Sequence, residues 1–395
     1  MPAPVRLGVA GFGVAGRVLL PFVDQHPDVV VTAVADPREQ ARAEALSLVG
    51  GSAVATVEEL CQRDDVDAVY VATPTQLHAE HAVLAASSGK AVVVEKPMAT
   101  SLAEALAIVE AADSAGVTLV VGHSQSFEAP VRAMRDLVAG GSLGRLRAIN
   151  AWYFTDWMYR PRHPDELDPD QGGGVTMRQA AHHVDIVRHL GGGLLRSVRA
   201  MTGVWDPSRR SDGSYSAYLE FEDSTPATVF YSGYDHFPSA ELTFGLGEAG
   251  QPLGEDYAVA RRRLREVHSP EGELALKTGA SSGGSRQLEL LRTGDAQPFF
   301  GLVVVSCEGG DVRVSPDGLL VYDDQARRVV SLADQRLGRE VLLDELVAAV
   351  RSGRPAQHDG CWGLANLEVC VAIRDSALRR QEVDLHYQVA LRPAS

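Results

Sequence analysis

Three sets of residues in this 395-residue chain have the types and spacing to do chemistry together. The first is Glu95-Lys96-Pro97, which ends an apolar β-branched run. Lys96 is one of only three lysines, with Lys90 and Lys277, so 34 of the 37 basic residues are arginine. An amine can exchange a proton near neutral pH when it is desolvated, whereas a guanidinium stays charged. Lys96 is therefore a candidate acid/base or alcohol-orienting group; an ordinary salt-bridged surface lysine is the plainer alternative. The second set follows a glycine triplet, Gly172 to Gly174. Were Thr176 to Leu190 one helix, Arg178, His182 and Asp185 would stand at i, i+4 and i+7 on one stripe. A histidine with a carboxylate beside it is the makeup of a general base and its orienting partner. A solvated, salt-bridged helix face would read the same way. His183 and His189 point elsewhere and are expected to pack or face solvent.

The third set binds rather than reacts. Gly11-Phe12-Gly13-Val14-Ala15-Gly16 follows the first strand-like run and opens a helical pattern, the context that a dinucleotide fingerprint requires. Gly11 permits the tight turn, Gly13 lets the backbone approach a pyrophosphate, and Gly16 lets helix and strand close up. Asp36 lies twenty residues beyond Gly16 at the end of the second run, where a carboxylate accepts from ribose hydroxyls and repels a 2′-phosphate. A helix N-cap before Pro37 is the plainer alternative and is compatible with ribose binding. These features favour NAD, while Arg38 just beyond leaves NADP open.

The elements that must position these groups are legible from periodicity. From Val5 to about Phe127, continuous apolar runs (VRLGVA, VVVTAVAD, DAVYVATP, AVVVEKP, TLVVGHSQ) alternate with helix-length segments. Such runs are parallel strands covered on both faces, so residues 1–127 form a doubly wound Rossmann-type α/β domain. Residues 128–395 form a second domain. A helix is predicted over Ala129–Ala139, then longer alternating strands. In SYSAYLEF, Tyr215, Ala217, Leu219 and Phe221 face one way, and a half-exposed antiparallel or mixed sheet follows. Residues 245–297, with RRRLRE and GASSGGS, read as a long loop or insertion. Two helices, near Val341–Arg351 and Leu364–Arg380, close the chain.

Composition removes several classes. With 37 Lys+Arg against 52 Asp+Glu the formal charge is −15, and no clustered basic face suits nucleic acid. No apolar run has membrane length, and the opening MPAPVRLGVAGFG enters a strand directly, so a cytoplasmic protein is expected. Cys61, Cys307, Cys361 and Cys370 lack metal or disulfide spacing, and no metal site is expected.

In order along the chain stand the glycine fingerprint, Asp36, Ala72-Thr73-Pro74 with His78, Glu95-Lys96-Pro97 and GGG-x7-His-x-x-Asp. Over nearly its whole length the chain thereby resembles the glucose-fructose oxidoreductase and inositol dehydrogenase (Gfo/Idh/MocA) family. The resemblance implies a C-terminal α/β domain with a large open, mostly antiparallel sheet, and a nicotinamide cofactor between the domains. It also implies homodimers or homotetramers built on that sheet. Thr73, Pro74, His78, Glu95, Lys96 and Gln125 would join the fingerprint, Asp36 and Arg38 at the cofactor. Lys96 and His182 would flank the reacting carbinol, with Asp185 orienting the imidazole.

Two departures bear on the substrate. Arg178 stands where many members acting on sugars or inositol carry an aspartate. Ser124-Gln125-Ser126-Phe127 replaces an N-R-R-F-like stretch. A guanidinium gained and a carboxylate lost point to an anionic substrate. The stretches DWMYRPRHPDELD, GGGVTMRQAAHHVDIVRHLGGG, GLVVVSCEGGDVRVSPDGLLVYDD and HDGCWGLANLEVC are similar to the phthalate 4,5-cis-dihydrodiol dehydrogenases of that family. On this resemblance Arg160, Arg162 and Arg178, with Gln125, Trp157, Tyr159 and His182, would surround a flat dicarboxylate ring. The reaction implied is NAD-dependent oxidation of 4,5-dihydro-4,5-cis-dihydroxyphthalate. A sugar acid, sugar or cyclic polyol dehydrogenase is the nearer alternative, and a non-catalytic NAD-sensing protein the more distant one.

Overall fold

The computed structural model describes residues 2–122, 124–253, 258–267, 269–282 and 296–392. The chain forms two compact units. The first comprises residues 1–123, 337–367 and 392–395, and the second residues 124–336 and 368–391.

The first unit is built on six parallel strands, β1 (Val5–Ala10), β2 (Val29–Ala35), β3 (Ser52–Val54), β4 (Ala68–Val71), β5 (Ala91–Val94) and β6 (Leu119–Val121), in the order β3-β2-β1-β4-β5-β6. All of β4 and β5 is buried, which is why these strands read as unbroken apolar runs. Strand order reverses between β1 and β4, and their carboxyl ends therefore open a crevice at Gly11 and Ala72. The helices between strands carry local stop and start signals. Ser101 and Glu104 form a capping box ahead of Leu102–Ala115, and Gly116 in the left-handed region ends that helix.

The units depart from the expected division at residue 127. Ser124 to Phe127 fall in the second unit, and residues 337–367 return to the first. The return has a physical reason: β6 is an edge strand whose backbone needs partners. Val121 N–H donates to His358 O at 2.8 Å, and Val120 bridges Asp359. The helix Gly338–Ser352 packs on the helix Val14–Gln25, and its Glu345 holds His358 Nδ1 at 2.7 Å in a buried pair. The two closing helices, Gly338–Ser352 and Gly360–Arg379, match the predicted ones in place, but the boundary between units falls within the second.

The second unit carries a nine-stranded sheet. Its strands are β7 (Leu146–Phe154), β8 (Leu195–Gly203), β9 (Ser214–Phe221), β10 (Pro226–Ser232), β11 (Leu302–Cys307), β12 (Gly310–Ser315), β13 (Gly318–Tyr322), β14 (Arg327–Val330) and β15 (Val383–Asp384). Their order is β14-β13-β12-β11-β7-β10-β9-β8-β15, antiparallel except where β7 and β10 pair in parallel. The predicted alternation holds in β9, where Tyr215, Ala217, Leu219 and Phe221 are buried while Ser216 and Tyr218 are exposed. Ile149, Ala151 and Tyr153 of β7 and Ala227, Val229 and Tyr231 of β10 fill the inner face. Trp152, Tyr218 and Met201 stand exposed.

Two local expectations change. Within 245–297 the described residues include two helices, Val259–Arg265 and Pro270–Ser282, where a loop was expected. Pro270 at the first helical position, with Glu271 and Glu273 in the first turn, suits a helix start. Residues 254–257, 268 and 283–295 lie outside the described residues, and with them part of the GASSGGS run. The predicted helix Thr176–Leu190 is two helices, Val175–Arg178 and Ala180–Gly191, divided at Gln179. No described helix is long and apolar enough to cross a membrane.

Candidate active site

In the first unit the glycines do what their positions require. Gly11 has φ +92°, and a Cβ there would meet Ala72 O at 2.7 Å; one on Gly16 would meet Gly11 O at 2.4 Å. A Cβ on Gly13 would point into open space. Gly13 caps the helix Val14–Gln25 without a side-chain hydrogen bond, and the first turn carries no acidic residue. Phe12 completes the turn, and Val14 and Ala15 open the helix. The result is a helix N-terminus with space above it and no built-in anion, which fits a pyrophosphate.

Asp36 is buried and already well partnered. Oδ2 accepts Phe12 N–H at 2.9 Å, Oδ1 accepts Arg38 N–H at 2.9 Å, and the Arg38 guanidinium grips both oxygens at 2.9 and 2.8 Å. Burial works to raise the carboxyl pKa, but the hydrogen bonds from Arg38 and Phe12 outweigh it and hold it below its ordinary value. Arg38 is thus bound to Asp36 rather than standing apart for a 2′-phosphate. The pair is a fixed ionic contact beside the fingerprint, held to Phe12 N–H.

Three residues expected at the cofactor have bracing partners. His78 is buried, with Nε2 facing Thr73 O at 2.8 Å and Nδ1 facing Pro97 O at 2.9 Å, so it ties the turn after β4 to the turn after β5. Thr73 also meets His81 Nδ1 through its hydroxyl at 3.0 Å, and Pro74 leads into the short turn Thr75–Leu77. Glu95 is buried; it accepts a short hydrogen bond from Tyr70 OH and takes Lys96 N–H at 3.2 Å. Burial, and then the neighbouring Glu95, push the Tyr70 phenol well above its ordinary pKa. The phenol thereby stays protonated as a donor. Lys96 follows β5 directly, half-buried at the carboxyl edge of the sheet, with its backbone N–H held by this pair. Sequence reasoning did not assign Tyr70; a tyrosine in the middle of a wholly buried strand was the available signal.

In the second unit His182 and Asp185 share the helix Ala180–Gly191 and are both buried. His182 Nδ1 stands 3.2 Å from Ser124 Oγ, and its ring packs 4.9 Å from Phe300. Asp185 Oδ2 accepts Ser126 N–H at 3.0 Å and so anchors the turn Gln125–Phe127 on this helix. Gln125 is buried in that turn. Ser124 is therefore a partner of the imidazole that sequence reasoning left without a role. His183, one residue on, is fully buried among Tyr153, Tyr231 and Phe300, with Nδ1 2.8 Å from Tyr215 OH. Burial pulls its pKa down to about 3, as suits a neutral core histidine.

The glycine triplet approaches protein atoms. A Cβ on Gly173 would meet Asp165 O at 2.6 Å, and one on Gly174 would meet Asp212 Oδ1 at 2.7 Å. Asp212 caps the next turn through Thr176 N–H at 2.9 Å and pairs with Arg374 at 2.7 Å. Gly173 thus lies close to backbone atoms and Gly174 to side chains of the chain itself.

The three arginines predicted to receive two carboxylates each meet a carboxylate of the chain. Arg160 pairs with Asp156 at 3.0 Å, Arg162 with Glu166 at 3.0 Å and Arg178 with Asp165 at 2.9 Å. The guanidinium of Arg162 lies 3.8 Å over the Trp157 ring, and that of Arg261 lies 3.6 Å over Tyr159. A cavity of about 860 Å³ opens beside Arg160, lined also by Tyr153, Asp156, Asp235, Phe237 and Phe299 among others. Tyr153 packs 4.8 Å from Phe300, the ring that also meets His182, so one aromatic wall touches both cavity and imidazole. Asp235 is held above its ordinary pKa, chiefly by burial. With Asp156, Asp235 and Glu241 against Arg160, the cavity's own lining is more acidic than basic.

The comparisons agree with this architecture. A family model described as "Oxidoreductase family, NAD-binding Rossmann fold" matches residues 5–123, and one described as "GFO/IDH/MocA C-terminal domain" matches 131–249. The chain is similar to the 1-carboxy-3-chloro-3,4-dihydroxycyclohexa-1,5-diene dehydrogenase of Comamonas testosteroni, 35% identical over 373 residues, which cover 93% of this chain and 94% of that protein. A crystal structure from Bordetella bronchiseptica RB50 has a TM-score of 0.90 at 39% identity, covering 96% of this chain and 100% of the other. The WlbA dehydrogenase from Bordetella pertussis, solved with NADH and UDP-GlcNAcA, shares the fold at a TM-score of 0.69 and 20% identity, over 97% and 99% of the two chains. The chain belongs to the Gfo/Idh/MocA oxidoreductase family. It is a dehydrogenase with an NAD-binding Rossmann domain.

Proposed function

We propose that this enzyme oxidises a carboxylated cyclohexadiene cis-diol to the corresponding catechol, with 4,5-dihydro-4,5-cis-dihydroxyphthalate as substrate and 4,5-dihydroxyphthalate as product. The observation that carries the reading is the likeness, over nearly the full length of both chains, to a dehydrogenase of a carboxylated dihydroxycyclohexadiene. Arg178, ahead of the His182 helix, supports it from within the chain, because a guanidinium complements a carboxylate.

NAD⁺ supplies the acceptor for the carbinol hydride. The fingerprint Gly11–Gly16 would hold its pyrophosphate, and Asp36 with Arg38 its ribose. His182 takes the hydroxyl proton at Nε2, since Nδ1 is turned to Ser124. Asp185 acts one step further out, fixing the Gln125–Phe127 turn from which Ser124 reaches the ring. Lys96 orients the carbinol oxygen, its backbone steadied by Glu95 and Tyr70. Loss of hydride and proton leaves an enone that tautomerises to the catechol, and aromatisation makes the oxidation strongly downhill.

One observation favours a second reading. The internal carboxylate partners of Arg160, Arg162 and Arg178, and the acidic lining of the cavity, would suit a neutral cyclic polyol or sugar. NADH formation from phthalate cis-dihydrodiol, its decarboxylated analogue and inositol separates the two. Preference for the carboxylated diol is expected; preference for inositol would overturn the proposal.

We also propose a homodimer or homotetramer formed through the outer face of the nine-stranded sheet, where Trp152, Tyr218 and Met201 are exposed. A monomer by light scattering at micromolar concentration would refute it. The reaction is set in the cytoplasm, in keeping with four thiols that are all free.

A further inference from the structure

The helix Pro270–Ser282 brings two charged side chains to the loop that bears Arg162. Glu273 accepts Arg162 N–H at 2.8 Å and pairs with Arg209 at 3.0 Å. Lys277, one turn on, reaches both oxygens of Glu166, Oε2 at 3.2 Å and Oε1 at 3.4 Å. Arg162 reaches Oε1 of the same carboxylate at 3.0 Å. One carboxylate thus serves two cations, and burial, which alone would raise its pKa, is outweighed by Arg162, Lys277 and the His163 N–H, which hold it at about 2. Arg162 is immobilised as well, flat on Trp157 and with Nε on Trp157 O at 3.1 Å. Next to Glu166 in the chain, Asp165 takes Arg178, which precedes the His182 helix. The side chains of Arg162, Glu166, Arg209 and Glu273 are all nearly buried. Buried ion clusters contribute little to stability relative to an apolar core and are better at fixing a geometry.

We propose that the helix Pro270–Ser282 is part of the apparatus that recognises the substrate carboxylate, and that Lys277 is its specificity-determining positioning residue. By sharing the Glu166 carboxylate, Lys277 keeps Arg162 from being fully neutralised, so that the guanidinium retains attraction for an incoming carboxylate. The inference rests on the carboxylated substrate proposed above. It gives a role to a lysine, and to a segment, for which the motifs supply none.

The test compares the full-length enzyme with Lys277→Met and Lys277→Arg under NAD⁺, using phthalate cis-dihydrodiol and its decarboxylated analogue. The ratio of the two kcat/KM values should fall about tenfold in Lys277→Met and return to within about twofold of wild type in Lys277→Arg. A merely structural role would lower both substrates alike, and an unchanged ratio overturns the inference while leaving the proposed reaction standing. A second arm needs no turnover: phthalate and benzoate binding by calorimetry should weaken about tenfold in Lys277→Met. Equal binding by both proteins overturns the inference. Wild-type enzyme that neither binds phthalate nor prefers the carboxylated diol removes the proposed function, and this inference with it. Should Lys277→Met fail to fold, Lys277→Gln carries the same comparison.

Discussion

Ser124 Oγ lies 3.2 Å from His182 Nδ1, across 58 residues of sequence. The hydroxyl can accept from Nδ1–H, which fixes the tautomer with Nε2 unprotonated. Replacing His182 by Ala should lower kcat by about 10²–10⁴-fold, and Ser124→Ala by roughly tenfold, because the base remains but its ring is less well held. Steady-state kinetics across pH checks both. A wild-type kcat and pH profile in Ser124→Ala would show that the serine does not orient the ring.

The Asp36–Arg38 pair should govern choice of cofactor. Asp36→Ala leaves the guanidinium beside the ribose site without its carboxylate, and the preference for NAD over NADP should fall by at least about tenfold. Arg38→Ala bares the carboxylate and should sharpen the preference for NAD. Kd values for NADH and NADPH, by fluorescence titration, provide the measurement. Unchanged ratios in both variants would remove the pair from ribose recognition.

Lys96→Arg discriminates proton exchange from orientation. An arginine keeps the charge but stays protonated, so a role in proton exchange predicts a kcat loss of about 10²-fold or more. Orientation by charge alone predicts a loss near tenfold, with Lys96→Ala far worse. NADH binding should survive in both variants, and its loss would recast Lys96 as a cofactor ligand only.

His183 makes stability depend on pH. Its folded pKa of about 3 lies below the ordinary 6.5, so between those values the unfolded chain binds the proton and the folded one does not. Its contribution to stability is therefore fully present above pH 6.5 and is lost as pH falls from 6.5 toward 3. His183→Gln should flatten the unfolding free energy over that window by about 1.4 kcal/mol per pH unit. Denaturant titrations at several pH values measure the slope; an identical slope in the variant would assign the acid sensitivity elsewhere.

Much of the site was legible because its signals are local. A strand that leads straight into Gly11-Phe12-Gly13 must turn tightly, and Gly11 does so at φ +92°. Lys96 could be placed at a sheet edge because β5 reads as a buried parallel strand with Glu95-Lys96-Pro97 at its carboxyl end. The two-residue period of β9 predicted which side chains are buried before any partner strand was known. Helical periodicity was less reliable at Gln179, where the backbone breaks the stripe that was to align Arg178 with His182.

What the sequence by itself determined is the kind of unit and the local elements of the candidate site: a dinucleotide turn, a lysine at a sheet edge, and a histidine and aspartate one helical turn apart. These follow from backbone conformation and periodicity, which act over a few residues. Only the tertiary structure decided that Ser124 meets His182, that Arg38 clasps Asp36, that Arg160, Arg162 and Arg178 each have a carboxylate of the chain as partner, and that residues 337–367 return to the first unit. Side-chain reach and charge set those pairings. Asp36 and Arg38, Asp156 and Arg160, and Arg162 and Glu166 are near neighbours in the chain, but that their charges meet, and that Asp165 reaches Arg178 thirteen residues on, depends on how the backbone between them folds.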